Sequence, residues 1–196
     1  MVTRWIKKTE GVWISKSTQA EAFELDEVYW FIKRKAQTET HSNIFVMTMI
    51  SRTPRQIVGF NVDNSVNSIS LQKVVGSAIS AQEYYTDGCL VYRDVVFGCK
   101  LRQNFRNKKD THTIESTNAD LRHHIPGLAR RTRCFYRSGE TLRAVISLFV
   151  DAYNKFGEVS SDTVKNFHQL NLYPFLSWTI CKDINVAFLG PNCRLT

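Results

Sequence analysis

Three acidic residues have the type and placement to hold a divalent cation. Asp26 interrupts the apolar alternation of "FELDEVYWFI", Asp87 closes "EYYTDG", and Glu115 opens the periodic segment "THTIESTNADLRHHI". A carboxylate set among apolar strand residues is costly unless it is paired or bound to a cation, so Asp26 calls for a partner. Three carboxylates with few other donors suit Mg²⁺ or Mn²⁺, hard ions that take oxygen ligands and keep part of their water. Two such ions about 4 Å apart can activate an attacking water or 3′-hydroxyl and stabilise the leaving oxygen of a phosphodiester. Taken singly, each acid has an ordinary explanation. Asp87 before Gly88 is turn chemistry, and Glu115 complements a helix N-terminus. Their coincidence beside basic segments favours the metal reading.

For the three to meet, the strands carrying Asp26 and Asp87 must be neighbours, and the helix carrying Glu115 must start close by. The first strand places Phe23 and Leu25, then after the acidic pair Val28, Trp30 and Ile32, at strand alternation. "NIFVMTMISRT" is a nearly continuous apolar run, as in a strand buried on both faces, and "IVGFNVDN" gives a third strand after a turn. Ser65 to Ser80 has a looser helical rhythm. "EYYTDG" is a short strand ending in an Asp-Gly turn, "VVFGCK" a further short strand, and a basic loop follows. A helix from Ile114 to about Ile125, with Thr113 as N-cap, stops before Pro126. On it Glu115, Asn118 and Arg122 share a polar stripe, opposed by Ile114, Leu121 and Ile125. Leu142, Val145, Ile146, Phe149, Val150 and Tyr153 keep the spacing of an amphipathic helix, with Gly157 as its C-cap. The fold class is therefore α/β, in the order β-β-β-α-β-(β)-α, a mixed sheet flanked by helices.

The 196 residues carry a formal charge of +8, which suggests a polyanionic partner. The charge is concentrated in "CKLRQNFRNKKD", including Lys108 and Lys109, and in "LARRTRCFYR", including Arg130, Arg131 and Arg133. Clustering of this kind is what neutralising a phosphate backbone requires, although a solubilising surface gives the same composition. No apolar run approaches the roughly 20 residues that span a bilayer, so no membrane partner is expected and a soluble, cytoplasmic chain is. Five scattered cysteines without a C-x-x-C pair argue against a disulfide framework or a structural zinc site. His112, His123 and His124 have no recognised metal spacing. Asp63 rivals Asp26 as the first acid, but before Asn64 and Ser65 it reads as a turn or cap. Cys89 with His112 lacks the elbow of a thiol nucleophile.

"FELDEVYWFI", "YYTDGCLVY" and "THTIESTNADLRHHIPGLARRTRCFYRS" resemble the three acidic segments of the DDE transposases of the IS-one type of bacterial insertion sequence. The similarity runs from about Glu21 to Phe156. It is most specific in the third segment, where the family has an acidic "IE", then Asn, then "LR", then a basic run ending in an aromatic residue and serine. The resemblance implies an RNase H-like catalytic domain with Asp26, Asp87 and Glu115 as its metal triad, binding Mg²⁺ or Mn²⁺, in all two ions. It implies that Asn118 and Arg122 lie on the same helix face, with Arg122 holding DNA near the scissile phosphate. Two positions depart from the pattern. Cys89 stands where the family usually has Trp, and Pro126-Gly127 interrupts a normally more continuous basic helix.

The expected organisation is an N-terminal extension over 1–20, the catalytic domain over 21–157 and a C-terminal extension over 158–196. The expected activity is cleavage at the ends of an insertion sequence, then joining of the free 3′-hydroxyl to target DNA. The partners implied are double-stranded DNA, further copies of the chain on that DNA, and an upstream zinc-finger and helix-turn-helix segment, which does not precede Asp26 here. Two other readings remain open. One is a non-catalytic DNA-binding regulator using basic residues interleaved with Phe105, Phe135 and Tyr136. The other is an RNase H-like nuclease, such as a junction resolvase, that cleaves without joining.

Overall fold

The computed structural model describes residues 20–32, 42–78, 81–104, 109–129, 136 and 138–156. Five strands form one sheet in the order β3-β2-β1-β4-β5: β1 (Ala20–Ile32), β2 (Ser42–Ser51), β3 (Gln56–Asp63), β4 (Ala81–Asp87) and β5 (Lys100–Asn104). The first three strands are antiparallel neighbours, while β4 runs parallel to β1 and β5 parallel to β4. The first and fourth strands are thus adjacent, as a shared site requires. Among the described residues three α-helices accompany the sheet: α1 (Ser68–Val75), α2 (His112–His124) and α3 (Gly139–Phe156). None of the described helices is long and apolar enough to cross a membrane.

The phase change in the first strand's sequence is a change of buried face. Phe23 and Leu25 pack with α1, Tyr84 and Tyr92 in one core cluster. Val28, Trp30 and Ile32 pack with α2 and α3 residues in a second cluster. Pairing with β2 runs without a register break from Phe23 to Ile32, so no bulge causes the switch. Successive side chains leave a strand on opposite faces, and the apolar set simply passes from the odd to the even positions. The acidic pair Asp26-Glu27 sits at the crossover between the two cores.

The strand expected at "VVFGCK" lies further on. Leu90–Asp94 forms a 3₁₀ turn, Val95 and Phe97 are buried in the first cluster, and β5 occupies Lys100–Asn104, part of the expected basic loop. Apolar residues there serve packing, while the charged segment pairs at the sheet edge, where exposed, charged strands are common. α1 is shorter than its sequence rhythm, and Asn67 caps it by accepting the Ser70 N–H at 2.8 Å. A Cβ on Gly59 would come within 2.7 Å of the Val74 carbonyl oxygen, so glycine permits this close approach of α1 to β3.

α3 docks on the other edge strand through polar groups as well as its apolar face. Asn154 accepts the Ile57 N–H and donates to the Ile57 carbonyl, both at 2.8 Å, in the manner of a pairing strand. Arg143 donates to the Val62 carbonyl at 2.6 Å and to Asn61 Oδ1 at 3.0 Å. The expected C-cap Gly157 lies outside the described residues, as do the C-terminal extension over 158–196 and residues 1–19 of the N-terminal extension expected over 1–20, whose last residue, Ala20, opens β1.

Candidate functional site

β4 stops at Asp87 while β1 continues to Ile32. The last paired residues are Glu24 and Tyr85, so two residues further on Asp26 and Asp87 stand side by side at the C-terminal end of β4. Carboxylate oxygens of Asp26, Glu27 and Asp87 all lie within 4.8 Å of one another, and each residue is half-buried. This end of parallel strands is where open α/β sheets usually present their sites.

Each of the two expected aspartates is held. Asp26 Oδ2 accepts the Asn118 amide at 2.9 Å, and Asn118 Oδ1 in turn accepts the Thr48 hydroxyl at 2.9 Å. Thr48 lies directly across from Asp26 on β2. With its oxygen engaged by a hydroxyl donor, the Asn118 side chain must present its NH₂ to the aspartate. Asp87 Oδ1 accepts the Cys89 N–H at 3.0 Å, the turn bond its Asp-Gly sequence suggests. Turn chemistry and membership of the acidic group coexist at this residue.

Glu27 is the member that sequence reasoning passed over. Withdrawal from water pushes its carboxyl up to about 7, and the charges of Asp26 and Asp87 add to the rise, against a lowering by the neighbouring Tyr92 hydroxyl. Although that hydroxyl faces Glu27, neither Tyr92 Oη nor Glu27 Oε1 takes part in a hydrogen bond of normal geometry. Burial raises the Tyr92 phenol well above its ordinary value, and the three carboxylates add to this.

Glu115 occupies the first turn of α2, half-buried, one turn ahead of Asn118. It is not one of the three carboxylates gathered within 4.8 Å. The α2 N-terminus is fixed by a carboxylate of β1 rather than by the expected Thr113. Helix α2 begins at His112, its N-cap Thr111 makes no side-chain cap bond, and the Ile114 N–H donates to Glu24 Oε2 at 2.8 Å. Glu24 is fully buried, and its other oxygen accepts Arg52 Nε at 2.6 Å. Arg52 also donates to the Asp110 carbonyl and lies over the Tyr85 ring, 3.8 Å from its centre. An acid two residues before Asp26 on the same face was the available signal for this role.

The expected DNA-contacting residues fall into three groups. Asn118 is 2% exposed and engaged with Asp26 and Thr48, so it orients an acid from within the core. Arg122 is half-buried on the last turn of α2, about 10 Å along the axis from Glu115 by helical rise. Asp120 lies 3.9 Å from Arg55. Lys108, Arg130, Arg131 and Arg133 lie outside the described residues, as does the Lys109 side chain. Within the first basic segment, Arg102 holds Glu83 through two bonds of 2.9 and 2.6 Å, and Lys100 is 3.9 Å from the same carboxylate. Tyr136 is buried and packs against Gly127, so its ring does not offer a stacking surface. The His124 ring lies tilted against Phe149 of α3, and Asp63 accepts the Asn64 N–H and the Ser70 hydroxyl in the turn before α1.

Neither the models of known protein families nor the curated proteins contain a match to this chain.

Proposed function

We propose that this chain is an RNase H-like, divalent-metal-dependent DNA-cleaving and strand-joining enzyme, a transposase of the DDE type. The observation that carries the reading is the meeting of Asp26 and Asp87 at the C-terminal end of β4, in a sheet ordered β3-β2-β1-β4-β5. The donor set fits Mg²⁺ or Mn²⁺, because it offers carboxylate oxygens gathered in a small, half-buried space and no sulfur or imidazole. Asp26 and Asp87 would hold the metal, with Glu115 alongside on α2. When bound, two such ions supply an activated water or 3′-hydroxyl and stabilisation of the leaving oxygen.

The protein's own groups supply position. Thr48 and Asn118 fix the direction of Asp26, the Cys89 N–H fixes Asp87, and Glu24 fixes the start of the helix that presents Glu115. Arg122 projects from the same helix and would take a neighbouring phosphate through two parallel hydrogen bonds. The excess of basic residues, +8 overall, suits a DNA partner and assembly of copies upon it.

The test is cleavage of supercoiled plasmid with Mn²⁺, followed by joining of a labelled 3′-hydroxyl oligonucleotide to target DNA. Wild type is expected to nick and to join, and Asp87→Asn to bind DNA but do neither. Nicking without joining would replace the transposase reading with that of a nuclease. Metal-independent DNA binding with no cleavage would leave a regulator.

A further inference from the structure

We infer that Glu27 is a ligand of this cation site, so that Asp26, Glu27 and Asp87 together bind one hydrated divalent ion, with the buried Tyr92 phenol as a positioning group behind it. The inference deepens the metal-dependent reading above and rests on it for the identity of the site. Asp26 and Glu27 are consecutive in a strand, and their side chains leave opposite faces of the sheet. Two such side chains can reach a common point only around a strand edge. The end of β4 at Asp87 provides that edge, and the oxygens of all three residues do converge within 4.8 Å.

Tyr92, on a different element, supplies a second observation. Its side chain is 0% exposed, anchored in the α1-side core by the 3₁₀ turn that follows Asp87. Its hydroxyl neighbours the Glu27 carboxyl. Tyr92 Oη and Glu27 Oε1 are both buried oxygens outside any hydrogen bond of normal geometry. Native interiors leave few buried polar atoms in that condition, and a bound ion or its water is among the recognised reasons. A cation held by three carboxylates would engage Glu27 Oε1, and one of its waters could meet the phenol oxygen. Ligating carboxylates are commonly oriented by such outer partners.

Mn²⁺ titrated into the full chain, followed by calorimetry and by the electron paramagnetic resonance signal of free Mn²⁺, tests this directly. Glu27→Gln is expected to weaken Mn²⁺ binding about tenfold or more, comparably to Asp87→Asn, the range seen when a ligand or its support is lost. Glu27→Asp, which keeps the charge on a shorter arm, should weaken it less. Tyr92→Phe should weaken it several-fold while the metal-free melting temperature holds or rises, a pattern that a merely structural phenol would not give. Wild-type affinity in Glu27→Gln, or no Mn²⁺ binding by the wild type, would overturn the inference. Plasmid nicking measured in parallel separates the two claims. Loss of Mn²⁺ binding in Glu27→Gln beside a wild type that never nicks DNA would keep the ion site and remove the phosphodiester reading. Full nicking and full Mn²⁺ binding by Glu27→Gln would do the reverse.

Discussion

Glu24 of β1 caps helix α2: its Oε2 accepts the Ile114 N–H at 2.8 Å while its Oε1 accepts Arg52 Nε at 2.6 Å. A strand two residues from Asp26 therefore sets the position of the helix that carries Glu115 and Asn118. The cap bond is charge-assisted and sits at the positive end of the helix dipole. Both contributions act on a fully buried carboxylate.

Removing either partner of this pair should be severe. Arg52→Ala leaves the buried Glu24 carboxylate with only the helix N–H, and because Arg52 is itself partly exposed the cost should fall below the roughly 3–5 kcal/mol of breaking a fully buried pair. Glu24→Gln keeps an oxygen for Ile114 and should cost less than Glu24→Ala. Urea denaturation of the three variants checks the ranking. Equal stability of Glu24→Gln and Glu24→Ala would show that the cap bond contributes nothing.

Asn118 should matter to activity through Asp26 alone. Asn118→Ala removes the donor to Asp26 and leaves the Thr48 hydroxyl only its longer bond to the Asp26 carbonyl at 3.4 Å, a cost of about 1 kcal/mol or more. Cleavage should fall in this variant while DNA affinity stays near wild type, since the side chain is 2% exposed. A loss of DNA affinity in a folded Asn118→Ala protein would return this residue to the DNA-contacting role its helix stripe suggested.

These roles explain what was legible in the sequence. The succession of β1 to β4 along the chain follows from alternation and turns, which are local signals, whereas the adjacency of Asp26 and Asp87 was a requirement of the metal reading that only the sheet order β3-β2-β1-β4-β5 supplies. The phase switch across Asp26-Glu27 was visible as a pattern, but its meaning needs two cores on opposite faces of one strand. Glu24, Thr48 and Arg52 act through partners about 30 to 90 residues away in the chain, and no spacing rule reports such pairs. β5 was misplaced because edge pairing demands little apolar content, whereas Val95 and Phe97 advertise burial without a strand.

Acid should loosen the β4–β5 edge. Arg102, then the Tyr85 hydroxyl, hold the Glu83 carboxyl down at about 2, from an ordinary value of 4.5. A depressed folded-state value means that the contribution is fully present above about 4.5 and is lost as pH falls towards 2. Glu83 faces solvent, so salt should screen part of the effect. Carboxyl carbon shifts followed by NMR should show Glu83 titrating well below other exposed glutamates, and Arg102→Ala should return it to the ordinary range. An ordinary midpoint in the wild type would show that the pair does not persist in solution.

Glu27 has the opposite sign. In the metal-free chain its carboxyl is raised to about 7, chiefly by burial and then by the charges of Asp26 and Asp87. A raised folded-state value means that its contribution to stability is fully present below about 4.5 and is lost as pH rises through about 7. Above that pH the folded state carries a third negative charge in one half-buried space, whereas the unfolded chain carries it in water at little cost. Glu27→Gln removes this ionisation and keeps nearly the same shape. With chelator present, wild type and Glu27→Gln should therefore melt at similar temperatures at about pH 4, and the variant should melt higher at about pH 8. Matching melting curves at both pH values would show that Glu27 ionises in the folded protein as freely as in the unfolded one.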